Sequence, residues 1–449
     1  MPRASREEEE IKKAFSDAKV TLKPGGKGVF DISLNGKLIF SKLQKVGALV
    51  ERYPDPGELV RLIKKEGFYI SPLRVERAFL QLLKEVSPCK LLETQCSYKD
   101  GIFRVKDSAF NLKRYKNVYL LGSGKAVLPM AESIQSILTN RVEETLIIGA
   151  YRSSKKLKNT TYIQSSHPIP SQKSVKAAKL IKKKLDSMQD DDFFIYLLSG
   201  GTSSLLEIPK AGVSLEEIQA KTKELLKTPI SIHNINKIRK NLSSIKDGKL
   251  AKNCKARGVA LVLSDVLGDN LEDIGSAPLY PNEKIEHFIM GSNRTVLQAA
   301  KKILGKFYKT NIIDEPIKDE VKAEAKKLSD FASKHRNSNR CFLFGGEATV
   351  NMDKKGKGGR NQHLALTFLD TFNHDFNITL LCAATDGIDG NSDYAGAIVN
   401  INKGEKKSKD IQKYLKDFNS SLYHSSLFKP IKTDPTHNNL LDIVIMLIY

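Results

Sequence analysis

The stretch FFIYLLSGGTSSLL, residues 193–206, decides how the rest of the chain is read. The apolar and aromatic run Phe193 to Leu198 reads as a buried strand, and it opens into Ser199-Gly200-Gly201-Thr202-Ser203-Ser204. Gly200 and Gly201 have access to backbone angles closed to other residues. Successive N–H groups there can converge on an anion, with the hydroxyls of Thr202, Ser203 and Ser204 as further donors. A phosphate or a carboxylate is the natural guest. Taken alone, the motif fits an ordinary tight turn as well, so its neighbours carry the argument.

On both sides of this stretch, short apolar runs alternate with helical patterns. Residues 116–138, KNVYLLGSGKAVLPMAESIQSIL, read as strand, glycine turn and helix, and apolar residues from Val75 to Val86 recur at helical spacing. ETLIIGAY at 144–151 and GVALVLSDV at 258–266 are further strands. Strands alternating with helices predict βαβ units and a mainly parallel sheet, with ligands beyond the carboxyl ends of the strands. A lysine-rich helix over 316–335 precedes CFLFGGEATVNM at 341–352, KGKGGRNQHLALTFL at 355–369 and ITLLCAATDGIDGNSDYAGAIV at 378–399. The same order recurs there, and a further domain is expected to start near 317. Leu440 to Tyr449 reads as a terminal buried strand.

Residues 1–72 follow another pattern. A charged helix over Glu7 to Asp17 leads to strands at 20–24 and 28–42, the latter with a hairpin at Asn35-Gly36. Pro-Asp-Pro-Gly within 53–65 looks like a helix entry. No internal repeat or low-complexity segment stands out.

At 449 residues the chain suits roughly three domains of about 150 residues each. With 40% hydrophobic and 28% charged residues it has the composition of a globular protein. No run approaches the roughly 20 apolar residues that span a bilayer. The start, MPRASREEEEIKK, has no apolar core, so a cytoplasmic location is expected. Cys89, Cys96, Cys254, Cys341 and Cys382 include no C-x-x-C pair, which predicts neither a disulfide framework nor a zinc site. The net charge of +22 is spread over the whole chain, without basic motifs interleaved with aromatics. It suits a field that attracts anionic substrates, or plain compositional bias, better than nucleic-acid binding.

Several loops carry charge at strand ends. Gly122-Ser123-Gly124-Lys125 brings backbone N–H groups, a helix start and an ammonium to one place, although the Walker A spacing is absent. In HNINKIRKNLSSIKDGK, residues 233–249, Asn236 and Lys240 share a helical face with Arg239 beside it and Lys246 beyond. Such groups suit a carboxylate or phosphate, and equally a solvated basic helix. Asp265 and Asp269, after the strand GVALVL, offer oxygen ligands for Mg²⁺ or a general base. Gly345-Gly346-Glu347, Gly356 to Gln362 and Thr385 to Gly390 add three glycine-rich loops that each bear charge. Together they predict a polyanion site at a domain interface.

SGGTSSLL, HNINKIRKNLSSIKDGKLA, LSDVLGDNLEDIGSAP, GGEATV, GKGGRNQ and TDGIDGNSDYAGAIV, with GSGKAVLPMA and SHPIPSQKS, occur in the order seen in one family. Over about residues 73–449 the chain resembles the MOFRL-type, class II glycerate kinases. The resemblance implies an α/β fold: a Rossmann-like parallel-sheet domain at 73–316 and a MOFRL-type α/β domain at 317–449. It implies ATP-dependent phosphorylation of D-glycerate, most often to 2-phosphoglycerate, with Mg²⁺, in the cleft between these domains. By resemblance Lys125 and Arg360 are the catalytic cations. Asp265 and Asp269 are candidates for base and magnesium ligand, Asp265 being assigned to catalysis and Asp269 to the metal. Gly122, Ser123 and Gly124 bind ATP or substrate, as do Ser199, Gly200, Gly201, Thr202 and Ser203 of the phosphate loop. Asn236 and Arg239 hold substrate. Gly345, Gly346, Glu347, Gly359, Asn361, Gln362, Asp386 and Asp389 line the cleft.

The residues agree with this reading, because phosphoryl transfer needs positioning and positive charge more than covalent chemistry. Lys125 and Arg360 fall in different domains, so domain closure would bring them together. Three departures from the family pattern stand out. Ala277 replaces a glycine, Asp434 and Asn438 replace a glycine and a threonine near the C-terminus, and the stretch between Tyr280 and Phe288 is short. Residues 1–72 resemble the C-terminal part of the selenoprotein W-like, thioredoxin-fold Rdx family. No cysteine occurs before Cys89, which makes this α+β fragment redox-dead by resemblance. A hydroxypyruvate reductase is the weaker alternative, since GSGKAV at 122–127 lacks the third glycine of a dinucleotide fingerprint. A catalytically decayed, binding or regulatory protein is the other, and the retained charged residues speak against it. A monomer and a homodimer both remain open.

Overall fold

The computed structural model describes residues 2–14, 31–34, 37–41, 58–59, 70–153, 155–225, 232–350, 356–404, 408, 410–427 and 430–449. At the N-terminus a helix covers Pro2–Ala14, and β1 (Asp31–Leu34) pairs antiparallel with β2 (Lys37–Ser41). Leu34 stands opposite Lys37, the register an Asn-Gly turn dictates. Residues 35–36, the strand expected at 20–24 and most of the helix entry at 53–65 lie outside the described residues.

Helices Ile70–Glu85 and Pro88–Gln95 lead into an antiparallel sheet of β3 (Cys96–Lys99), β4 (Ile102–Val105) and β5 (Ser108–Asn111). No pattern in the sequence announces this sheet. Its strands are four residues each and bury little beyond Cys96, Phe103 and Val105, which leaves almost no apolar run to detect.

The main sheet contains β6 (Val118–Ser123), β7 (Glu144–Gly149), β8 (Thr160–Gln164), β9 (Phe193–Leu198), β10 (Arg257–Leu263) and β11 (Ile285–Gly291). Its order is β11-β10-β9-β6-β7-β8, and every pairing is parallel. All six residues of β9 are buried, as a strand covered on both faces requires. From β6 the chain winds outward through β7 and β8, then returns to β9 on the other side of β6. The crevice beyond β6 and β9 is therefore the switch point of the sheet, where ligands bind in open α/β folds.

The second sheet differs from the mainly parallel expectation. It holds β12 (Thr310–Ile312), β13 (Arg340–Gly346), β14 (Ile378–Ala384), β15 (Gly396–Ile401), β16 (Pro430–Ile431) and β17 (Asp442–Ile448), ordered β12-β13-β17-β14-β15-β16. Only β12 and β13 run parallel, because the last strand, fully buried, inserts antiparallel between β13 and β14. β12 already belongs to this sheet ahead of the boundary drawn at 316/317. Its three residues offer too short an apolar pattern to announce a strand.

The two sheets share a core. Val75, Phe79 and Leu82 of the first long helix and Val296 and Leu297 of helix Asn293–Leu304 lie in one apolar cluster with Leu120, Ile195 and Leu261 of the main sheet and Leu343, Leu381 and Ile443 of the second. Among the described residues no helix is long and apolar enough to cross a membrane.

Candidate active site

The first half of the site sits at the switch point. The loops after β6 and β9 are laced together: Ser199 N–H donates to the Ser123 carbonyl (3.1 Å) and Lys125 N–H to the Gly200 carbonyl (2.9 Å). Gly201 has φ +88°, and a Cβ there would lie 3.0 Å from His167 Cδ2 and 3.3 Å from Lys125 Cγ. A Cβ on Gly200 would meet the carboxylate of Asp265, at the end of β10. These two glycines thus let Lys125, His167 and Asp265 close around one loop.

The electrostatics follow from that crowding. Burial raises the Asp265 carboxyl above its ordinary range, and the Lys125 charge opposes the shift. Partial withdrawal of the His167 ring from water, then the charges of Lys125 and Arg239, lowers its imidazole to about 4. His167 is therefore neutral at pH 7. Lys125 forms no ion pair among the described residues.

The second half lies at one end of the mixed sheet, where β17 starts opposite the ends of β13 and β14. Asp442 is in register with both Gly346 and Ala384. Arg360, the first residue of helix Arg360–Thr371, donates from Nε to Asp442 Oδ2 (2.6 Å) and from Nη2 to Glu347 Oε1 (2.5 Å). Burial raises the Glu347 carboxyl; Arg360 opposes, and Asp442 and Asp265 add to the rise. Asp265 of the first domain is thus near enough to Glu347 of the second for its charge to act on it. Burial also raises Asp442, against the pull of Arg360.

Many of the sequence-predicted residues hold this arrangement from behind. Asp389 accepts hydrogen bonds from the N–H groups of Asn361 (3.0 Å) and Gln362 (2.8 Å) and from both side-chain amides, so all three are engaged in fixing the helix that carries Arg360. Burial raises Asp389 to about 6, against those hydrogen bonds. Gly359 has no room for a Cβ beside Asp389; Gly345 is packed on Asn293, and Gly346, at φ +127°, on the Ile317 carbonyl. In the first domain Gly122 is packed on Leu197 and Val127, and Gly124, at φ +137°, on Ser199. The hydroxyls of Ser123, Ser199 and Thr202 turn inward. Ser123 pairs with Tyr196 (2.8 Å), Ser199 accepts from Ala126 N–H (3.1 Å), and Thr202 donates to the Ser123 carbonyl (2.8 Å).

Ser203 stays half-buried at the loop surface, 2.8 Å from the hydroxyl of Ser276. Asn236 is buried against Asp273 and Ser276. Asp386 accepts from Ile388 N–H (3.1 Å) and faces Tyr151 of the first domain, whose ring lies 4.9 Å from that of His437. Asp269, at φ +55°, follows Asp265 on the same loop, and its side chain makes no hydrogen bond among the described residues. No group of three or more His, Cys, Asp and Glu able to hold a metal exists among the described residues.

The sequence reading missed Asp442, His167, Ser276 and the buried Glu207–Lys246 ion pair. Asp442 was visible as the one charge interrupting the C-terminal apolar run, and His167 as part of SHPIPSQKS. Of the departures, Asn438 is buried and donates to the Val86 carbonyl (2.6 Å), while Asp434 is exposed.

Three family models match the chain. The domain of unknown function DUF4147 matches residues 74–304, the MOFRL family residues 340–442, and the Rdx family residues 1–65. A glycerate 2-kinase of Pyrococcus horikoshii is 31% identical over 425 residues, covering 82% of this chain and 95% of its own. A D-glycerate 2-kinase of Thermotoga maritima is 31% identical over 377 residues, covering 74% of this chain and 90% of its own. The crystal structure of a Thermotoga maritima glycerate kinase, 27% identical, superposes with a TM-score of 0.72 over 84% of this chain and 99% of that one.

Proposed function

The chain belongs to the glycerate kinase family built from DUF4147 and MOFRL domains, and we propose on that premise that it transfers the γ-phosphate of ATP to D-glycerate, giving 2-phosphoglycerate. One observation carries the reading: Lys125 and Asp265 crowd the glycine loop at the switch point, and Arg360 is held between Asp442 and Glu347 at the end of the second sheet, with Asp265 near enough for its charge to raise Glu347. A reaction that moves a phosphoryl group between two bound substrates needs cations held where oxygen charge develops, with water excluded.

Arg360 is pre-oriented by Asp442 and Glu347, which fix the plane of its guanidinium while Nη1 remains for phosphate oxygens. Lys125, which forms no ion pair among the described residues, is the point charge on the side of the first domain. Asp265, its pKa raised by burial, is matched to accept the proton of the attacking hydroxyl. Asp269, whose side chain makes no hydrogen bond among the described residues, would be the carboxylate ligand of a magnesium ion brought by the nucleotide, and that ion would supply positive charge for the phosphate oxygens.

The test is coupled ADP release with purified protein, ATP, Mg²⁺ and D-glycerate, with NMR of the product. NADPH plus hydroxypyruvate is the control. ADP release with phosphate on the 2-oxygen is expected, and Lys125→Ala and Arg360→Lys should each lower kcat by about 10²–10³-fold. Reduction of hydroxypyruvate, or no ADP from D-glycerate, would overturn the assignment.

A further inference from the structure

A small pocket lies beside the glycine loop, with Ile218, Leu225 and Leu242 in its wall; Ser203 and Arg239 line it together with Ser204, Glu207, Lys221 and Thr222. The polarity of Ser203 is set by a chain of hydrogen bonds. The Asn236 amide donates to the Asp273 carbonyl (3.0 Å) and carboxylate (3.2 Å), so it cannot flip without setting its oxygen against two acceptors. Its own oxygen therefore faces Ser276, whose hydroxyl donates to it (2.8 Å). A hydroxyl has one hydrogen. With the Ser276 hydrogen committed, the contact between Ser203 and Ser276 (2.8 Å) is made by the hydrogen of Ser203. Ser203 then shows only lone pairs to the pocket.

Arg239 is the complement. Burial lowers its pKa, nearby Glu207 opposes the shift, and the guanidinium makes no hydrogen bond or ion pair among the described residues. Glu207 itself is engaged by Lys246 and by the Ser243 hydroxyl (2.5 Å). Gly201, two residues before Ser203, is packed against both His167 and Lys125, which places this pocket beside Lys125 on the same loop. A guanidinium fork beside a hydroxyl acceptor matches a carboxylate carrying a nearby hydroxyl. At Ser203 itself a phosphate oxygen would meet lone pairs, whereas a ligand hydroxyl finds an acceptor.

We infer that the Ser203–Arg239 pocket binds the hydroxy-acid end of the phosphoryl acceptor: Arg239 takes the carboxylate, and Ser203 accepts from the hydroxyl that is not phosphorylated. This rests on the glycerate kinase reading and departs from it in one respect, because Ser203 is no phosphate donor. Ser276 and Asn236 are positioning residues that fix the direction of the Ser203 hydrogen.

Calorimetry with D-glycerate, D-lactate, ADP and inorganic phosphate tests the inference on the wild type, Ser203→Ala and Ser276→Ala. D-lactate lacks the 3-hydroxyl. Wild-type protein should prefer D-glycerate to D-lactate by about tenfold, and Ser203→Ala should erase that preference with ADP affinity unchanged. Ser276→Ala frees the Ser203 hydrogen to donate, so D-glycerate should weaken while inorganic phosphate tightens, a reversal that mere loss of packing does not produce. Unchanged D-glycerate binding in Ser203→Ala, or a loss confined to ADP and phosphate, would overturn the inference. Wild-type protein that shows the Ser203-dependent preference yet releases no ADP would overturn the kinase reading alone. ADP release with no Ser203 dependence would overturn the pocket assignment alone.

Discussion

Arg360 and Lys125 do different work because their surroundings differ. Arg360 sits between Asp442 and Glu347, so truncating it would leave the buried Asp442 and the half-buried Glu347 without their counter-charge and destabilise the native protein. That is why lysine is the informative replacement there, whereas Lys125, which has no ion pair among the described residues, tolerates alanine. The neighbour of Lys125 reports on it. His167, held down to about 4 by withdrawal from water and by Lys125 and Arg239, should titrate in an NMR experiment well below the ordinary 6.5, and Lys125→Ala should move its midpoint up. The sign for stability follows. Between about 6.5 and about 4 the unfolded chain takes up this proton and the native protein does not, so this group removes stability as pH falls through that window. A midpoint near 6.5 that ignores Lys125→Ala would contradict the geometry around Gly201.

Local elements store the constraints that place these residues. Gly275, Ser276 and Ala277 are three successive residues in the left-handed region, at φ +59°, +61° and +54°. That turn aims Ser276 at Ser203 and Asn236, and it explains the glycine preference that the family resemblance implies at 277. Alanine is tolerated because three terms offset. Replacing it by glycine relieves about 1–2 kcal/mol of strain, but loses about 0.8 kcal/mol of methyl burial and about 0.4–1 kcal/mol in the unfolded chain. Ala277→Gly should therefore stay within about 1 kcal/mol of the parent in a denaturant melt. Ala277→Val, β-branched at a buried left-handed position, should cost more than about 2 kcal/mol. Equal stability of the two variants would refute the strain account. A different element, helix Arg360–Thr371, begins after a glycine with no side chain of its own to cap it, and Asp389 reaches in to accept from its first N–H groups. The sequence marked Gly359 and Asp389 as cleft residues, but their spacing of 30 positions carried no sign that one caps the other's helix.

At the scale of the molecule, the cleft exists because two sheets share one core. The same cluster takes in both, and helices Ile70–Glu85 and Asn293–Leu304 contribute to it. β17 is the central strand of the second sheet and delivers Asp442 to Arg360. Deleting residues 442–449 should therefore remove the pairing partner of both β13 and β14, and the protein should lose cooperative unfolding and two-domain compactness in melting and scattering measurements. Retention of both would mean that β13 and β14 can close on each other without it.

The sequence by itself determined the local signals: the strand-then-glycine loops, the charged residue in each, the alternation of strands and helices, and the ordered motifs shared with a kinase family. These depend on neighbours along the chain, whose spacing is printed in the residues. The short strands β3 to β5 and β12 escaped it because three or four residues with few apolar positions carry no period. Only the tertiary structure decided which of the polar residues face the cleft. Asn361, Gln362, Asp389, Ser123, Ser199 and Thr202 are committed to one another or to backbone, whereas Lys125, Asp265, Glu347 and Arg360 converge. The physical reason is that a side chain's partner is set by distance in space. Asp442 reaches Arg360, and Ser276 orients Ser203, across separations in sequence that no local pattern encodes.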